Sequence, residues 1–109
     1  MADQQPNIAD FRSMLDRGYG AVCDQLHVRP NDESLQTVLS EYHRMFGILD
    51  AMTTEERSSP LVVIDSGRIR RIARGAGTTD QELIRLLYSY RDYCEQTLRA
   101  IWAFRRGTA

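Results

Sequence analysis

Apolar residues recur along most of this chain at intervals of three and four, the spacing that lines one face of an α-helix. The first run is Ile8, Phe11, Met14 and Leu15, with Asn7 placed as a helix N-cap. The stretch RGYGAVCDQLHVRPN, residues 17–31, then breaks the pattern with two glycines and a proline and predicts a loop or short irregular turn. Asp32 caps a second predicted helix, whose apolar set is Leu35, Val38, Leu39, Tyr42, Met45, Phe46, Leu49 and Met52. Gly47 inside it is a local penalty of about 1 kcal/mol relative to alanine. Thr53 and Glu56 have capping-box spacing and predict a short helical turn. Pro60 and the apolar run 61–64 follow. Composition would allow a strand there, but the run is short and has no second strand to pair with, so a buried helical start or connector is expected.

Residues 68–74 read as a short helix with Ile69, Ile72 and Ala73 inward and arginines around the rest, ended by Gly75 and Gly77. Thr79 and Glu82 make a second capping box. The last predicted helix is the longest. Its apolar stripe of Leu83, Ile84, Leu86, Leu87, Tyr90, Tyr93, Cys94, Leu98, Ile101 and Trp102 is expected to be core. No repeat or low-complexity segment interrupts the chain. The expected fold is all-α: a small bundle of four to five helices, one domain over residues 1–109, containing a helix-turn-helix-like unit.

Composition narrows the partners. At 109 residues, 42% hydrophobic and 27% charged, the chain reads as soluble and globular. Its net charge of −1 means that any basic binding surface must be local. No apolar run approaches a membrane span. The start, MADQQPNIAD, has neither the basic nor the apolar region of a signal peptide, and a cytoplasmic location is expected. All fourteen basic residues are arginine. That excludes a P-loop and a Schiff-base lysine. Cys23 and Cys94 are expected to be reduced. Cys23 and His27 stand four apart, but His43 and Cys94 supply no second half at ligand spacing, so ordinary packing is expected rather than a metal site. No catalytic constellation and no cofactor motif is present, and the chain is not expected to be an enzyme.

The charge concentrates in SGRIRRIARGAGTT, residues 66–79. Arg68, Arg70, Arg71 and Arg74 have no acid among them, and Gly75, Ala76 and Gly77 follow. A basic helix, a Gly-x-Gly turn and a second helix can present arginines and backbone amides together to phosphates. A solvated basic face paired with acids from elsewhere has the same appearance.

The longer stretch MTTEERSSPLVVIDSGRIRRIARGAGTTDQELIRLL, residues 52–87, resembles the M domain of the signal recognition particle's GTPase subunit. The family pattern runs Met-Thr-x-x-Glu-Arg, a proline, an apolar pair, Gly-Ser-Arg-x-x-Arg-Ile-Ala-x-Gly-Ser-Gly-Thr, and then a leucine-bearing helix. Met52, Thr53, Glu56, Arg57, Pro60, Arg68, Arg71, Ile72, Ala73, Gly75, Gly77, Thr78, Glu82, Leu86 and Leu87 match it. The resemblance implies an all-helical domain that binds signal recognition particle RNA and serves co-translational protein targeting. It implies that Arg68 and Arg71 contact phosphates and bases, within a surface made by Arg68, Arg70, Arg71, Arg74, Gly75, Ala76 and Gly77. Gly75 and Gly77 would allow close approach of the RNA backbone. Gly67 and Ala76 replace two family serines, Asp65 stands beside the site, and one extra residue separates Pro60 from Arg68.

The family's second role is holding signal peptides in a methionine-lined groove. This sequence has four methionines, Met1, Met14, Met45 and Met52. Between its first two predicted helices it carries Tyr19, Val22, Leu26 and Val28 instead, which are expected to be core or a reduced flap rather than a full peptide groove. The family's GTPase domain has no counterpart in these residues. Two functions remain: an RNA-binding module of signal recognition type, or a diverged scaffold of the same shape that contacts proteins without RNA.

Overall fold

The computed structural model describes residues 7–107; Met1 and the rest of 1–6, together with 108 and 109, lie outside the described residues. Five α-helices and one 3-10 helix follow in order: α1 (Ile8–Val28), α2 (Glu33–Ala51), α3 (Thr54–Ser58), the 3-10 helix (Pro60–Asp65), α4 (Ile69–Ala76) and α5 (Asp80–Gly107). No strand occurs among the described residues. The all-α expectation is met, with five α-helices against the four to five expected and the 3-10 helix as a sixth helical element.

The helix starts follow cap chemistry. Asn7 accepts from the Asp10 N–H and Asp10 answers with its carboxylate on the Asn7 N–H, a reciprocal box that opens α1. Asp32 accepts from the Leu35 N–H at 3.1 Å and opens α2. At the far end of α2, the Arg57 guanidinium donates to the Leu49 and Asp50 carbonyls, occupying acceptors that the helix leaves unpaired.

Residues 17–31 differ from the expectation. There is no loop at Gly18 and Gly20; α1 runs through both to Val28, and only then does the chain turn at Pro30. Two helical glycines cost about 1 kcal/mol each. Continued backbone hydrogen bonding and aromatic packing offset that cost. The Tyr19 ring lies 6.4 Å from Tyr42 and 5.8 Å from Phe46, both edge-on, and its hydroxyl is 3.2 Å from His43 Nε2. Gly18 faces the same ring of Tyr42, and a Cβ there would sit 2.1 Å from its hydroxyl oxygen and force that end of the ring to move. Tyr19, Val22, Leu26 and Val28 therefore stand on a continuous helix, and Val28 is 78% exposed.

The core joins Phe11 and Leu15 of α1, Ile48 and Leu49 of α2, Val63 of the 3-10 helix, Ile72 and Ala73 of α4, and Leu83, Leu86, Leu87 and Tyr90 of α5. Phe11 anchors α1 to α5, with its ring 5.4 Å from Tyr90 and 5.5 Å from Tyr93. The run 61–64 is a connector rather than a strand: Val63 is buried while Leu61 and Val62 face outward. The α5 stripe is core only in its first half. Leu98 and Trp102 are exposed, because the helix extends past the end of its neighbours. Twenty-eight residues make α5 about 42 Å long, against a longest molecular extent of 50 Å.

Candidate nucleic-acid interface

α4 owes its orientation to its small and apolar side. Ile72 and Ala73 are fully buried, and Ile69 and Ala76 pack against the same core. The backbones of α2 and α4 come close where both carry small residues: a Cβ on Gly47 would lie 3.8 Å from the Ala76 carbonyl oxygen, and one on Gly75 would lie 3.6 Å from the Ala51 Cβ. With that face committed, Arg70, Arg71 and Arg74 are exposed and Arg68, just before the first turn, is half-buried.

The four arginines divide into two pairs. Arg68 and Arg71 converge on Glu56, which is 2% exposed. Glu56 is fixed from its own side of the site by the α3 capping box: its Oε1 accepts from the Thr53 N–H at 2.9 Å, and its N–H donates to the Thr53 hydroxyl at 3.1 Å. Its Oε2 accepts from Arg71 Nη2 and lies 3.8 Å from Arg68 Nε. Burial pushes this carboxyl upward, but the bond from Arg71 and those from Thr53 outweigh burial and hold it below the usual glutamate range. Arg68 also reaches within 3.8 Å of Glu55. Arg70 and Arg74, one helical turn apart on the other flank, have no acidic partner among the described residues.

The turn after α4 is built by one glycine, not two. Gly75 is inside the helix, and Ala76 is its last residue and half-buried. Gly77 alone has a left-handed backbone, φ 70°. Its N–H donates to the Arg74 carbonyl at 3.1 Å, and the Thr78 N–H donates to the Ala73 carbonyl at 2.8 Å. This is the paired closure that an αL residue makes at a helix end, and it favours glycine because no Cβ opposes it. Thr79 then opens α5 in a capping box with Glu82, as the spacing predicted. The Thr79 N–H is the largest influence holding Glu82 low, and Arg44 on α2 bonds the same carboxylate at 2.6 Å.

Arg70, Arg71 and Arg74 are exposed on α4, Gly77 is exposed in the turn that follows it, and Arg68 is half-buried just before it. Gly75 is exposed on α4, and the half-buried Ala76 lies on its inner side toward α2. Glu56 is the residue that sequence reasoning placed only as a cap. Its spacing to Thr53 announced the box, but its ion pairs reach fifteen positions along the chain. Elsewhere, Cys23 and Cys94 are free and half-buried, and no three His, Cys, Asp or Glu side chains converge as metal ligands among the described residues.

Comparison with known proteins adds the family. The family model described as the signal peptide binding domain matches residues 7–101. The signal recognition particle 54 kDa protein of Halorubrum lacusprofundi is 39% identical over 79 residues, 72% of this chain and 16% of that protein. The protein of the same description from Methanosarcina barkeri is 34% identical over 100 residues, 92% of this chain and 21% of its own length. The signal recognition particle protein of Aquifex aeolicus is 35% identical over 65 residues, 60% of this chain and 14% of its own. The chain therefore spans about a fifth or less of the length of these relatives. No solved structure matches it significantly.

Proposed function

The chain belongs to the signal peptide binding domain family, and from that premise we propose that it is an RNA-binding module of signal recognition type, holding the particle's RNA on the face of α4 and the turn that follows. The observation that carries this reading is the pair Arg70 and Arg74. They are solvent-facing guanidiniums one turn apart, without acidic partners among the described residues, beside a second pair already oriented by Glu56. Arginine's planar fork suits bidentate phosphate contact. The left-handed Gly77 leaves the backbone uncovered where an RNA strand would approach, with open space around its Cα. RNA is recognised largely through shape and backbone. In this reading Arg68 and Arg71 meet RNA with geometry set in advance, and Arg70 and Arg74 supply uncompensated charge. The module would work in the cytoplasm, within the particle that its relatives are named for.

Titration of signal recognition particle RNA against the chain, by gel shift or fluorescence anisotropy, tests the proposal. Saturable binding that weakens steeply with salt is expected. A flat salt response with no saturation would leave the alternative, a helical scaffold for protein contacts.

Signal-peptide binding is a second reading, favoured by one observation. The family model named for it spans residues 7–101, including the methionine-poor first two helices. Saturable crosslinking of a hydrophobic signal peptide to residues 19–28 would establish it, and absence of crosslinking there would confirm the reduced groove.

A further inference from the structure

The outer end of α5 carries chemistry that neither the core nor the arginine face uses. Leu98 is 38%, Trp102 60% and Phe104 73% exposed, on a helix that has outrun its neighbours. From residue 96 to the end of the sequence there are three arginines, Arg99, Arg105 and Arg106, and no acid. Their arrangement is ordered by helical spacing. Leu98, Ile101, Trp102 and Arg105 fall at intervals of three and four on one face. Arg99 and Arg106 stand on either side of Trp102 and line a shallow groove with it. Phe104 and Arg105 line a second groove on the opposite flank, with Ile101. The helix end therefore has an apolar centre with Trp102 between Arg99 and Arg106 on one flank and Phe104 beside Arg105 on the other.

We infer that this end of α5 is a docking surface for an anionic phospholipid surface. Charge and apolarity select that occupant together. A second copy of the chain would match the apolar face, but it would set three arginines against three arginines. An RNA strand would match the charge and leave Leu98 and Ile101 without a counterpart. An anionic bilayer surface matches both. A tryptophan ring settles at the level of the headgroups, phenylalanine and leucine insert at the acyl boundary, and arginine stems lie along apolar surface while their heads reach phosphate. A helix with aromatic and aliphatic residues on one side and arginines beside them lies in the interface plane rather than across the membrane. Consistent with that, no helix of the described residues is long and apolar enough to cross. The surface is distinct from α4, so it stands whether or not RNA binds there.

Trp102 is the chain's one tryptophan, so its emission reports this site directly. The whole chain is titrated with vesicles of phosphatidylcholine alone and with vesicles in which a third of the lipid is phosphatidylglycerol. Emission should shift to shorter wavelength and the chain should sediment with the anionic vesicles, with far weaker partition into the neutral ones. The double variant Arg99→Gln, Arg106→Gln should weaken anionic partition roughly 10- to 30-fold. Trp102→Ala, at an exposed position, should abolish sedimentation while circular dichroism remains that of the parent. Equal partition into both vesicles, no shift with either, or full retention of binding in the double variant would overturn the inference. A Trp102 shift that grows with protein concentration without lipid, or that appears with RNA and not with vesicles, would overturn it in favour of a second copy or of RNA.

Discussion

Arg71 donates to one oxygen of the Glu56 carboxylate while the other oxygen accepts from the Thr53 N–H at 2.9 Å, so a single buried acid closes the cap of α3 and orients the basic face of α4. Removing the charge should cost more than removing a surface ion pair. Glu56→Gln keeps an acceptor for Thr53 and loses the charge-assisted bond. A loss of about 1–3 kcal/mol in urea unfolding is expected. Arg71→Ala should cost a similar amount, since it leaves Glu56 buried with Arg68 3.8 Å away as its nearest cation. Any fall in RNA binding by Arg71→Ala must therefore be read beside its unfolding curve. Unchanged stability in both variants would show that the pair is not formed in solution.

The same acid sets a pH dependence. Against the upward push of burial, its folded pKa is held below the usual glutamate range by the bonds from Arg71 and Thr53. A depressed carboxyl contributes stability that is fully present above its unfolded pKa and is lost as pH falls through the folded one. Thermal unfolding followed downward from pH 6 should show Tm falling below about pH 4.5, with a shallower fall in Glu56→Gln. Asp50, held low first by its hydrogen bond from Arg12, contributes in the same direction and remains in the variant. Superimposable acid limbs would count against Glu56 as a source.

The glycines of the basic segment should separate cleanly. Gly77 has φ 70°, where a Cβ is strained, and Gly77→Ala should destabilise by about 1–2 kcal/mol. Gly75 is helical, and a Cβ there would make an ordinary 3.6 Å contact with Ala51. Gly75→Ala should be neutral or stabilise by about 0.5–1 kcal/mol. If RNA needs a bare backbone at Gly75, the same variant will lose affinity while keeping its stability. Denaturation midpoints that rank the two variants the other way would place the left-handed helix end at Gly75, two residues earlier.

A parallel contrast tests the contact between α1 and α2. Gly18→Ala drives a Cβ into the Tyr42 ring, 2.8 Å from its Cζ, and should cost about 1–3 kcal/mol. Gly20→Ala meets nothing within 4 Å and should stabilise by about 0.5–1 kcal/mol. Equal effects would mean that Tyr42 does not pack on Gly18.

These pairs also show what was legible in the sequence. Asn7, Asp32, Thr53 with Glu56, and Thr79 with Glu82 all cap helices as their spacing announced, because a cap joins groups three residues apart. Gly18 and Gly20 misled because the gain that offsets them comes from Tyr42 and Phe46 on another helix. The α5 stripe continued as a pattern past the point where neighbours exist to bury it, since periodicity records a face and not its partner. The arginines were visible as a cluster, but their division into a Glu56-bound pair and an open pair depends on a contact across the fold.

That division gives the salt response its expected form. Each phosphate neutralised adds about −0.9 to the slope of log K against log salt, by the duplex DNA coefficient. Four equivalent arginines would give about −3.6. Arg70 and Arg74 have no acid to exchange among the described residues, so each should contribute its full share. The double variant Arg70→Ala, Arg74→Ala should flatten the slope by about 1.8. Arg71 must give up Glu56 to meet a phosphate, or contact RNA while still bound to it. Its replacement should move the slope less and the stability more. RNA titrations at several salt concentrations, with the unfolding curve of each variant measured beside them, separate these contributions. A double variant whose slope equals that of the parent would remove Arg70 and Arg74 from the RNA face, and with them the observation on which the RNA-binding reading rests.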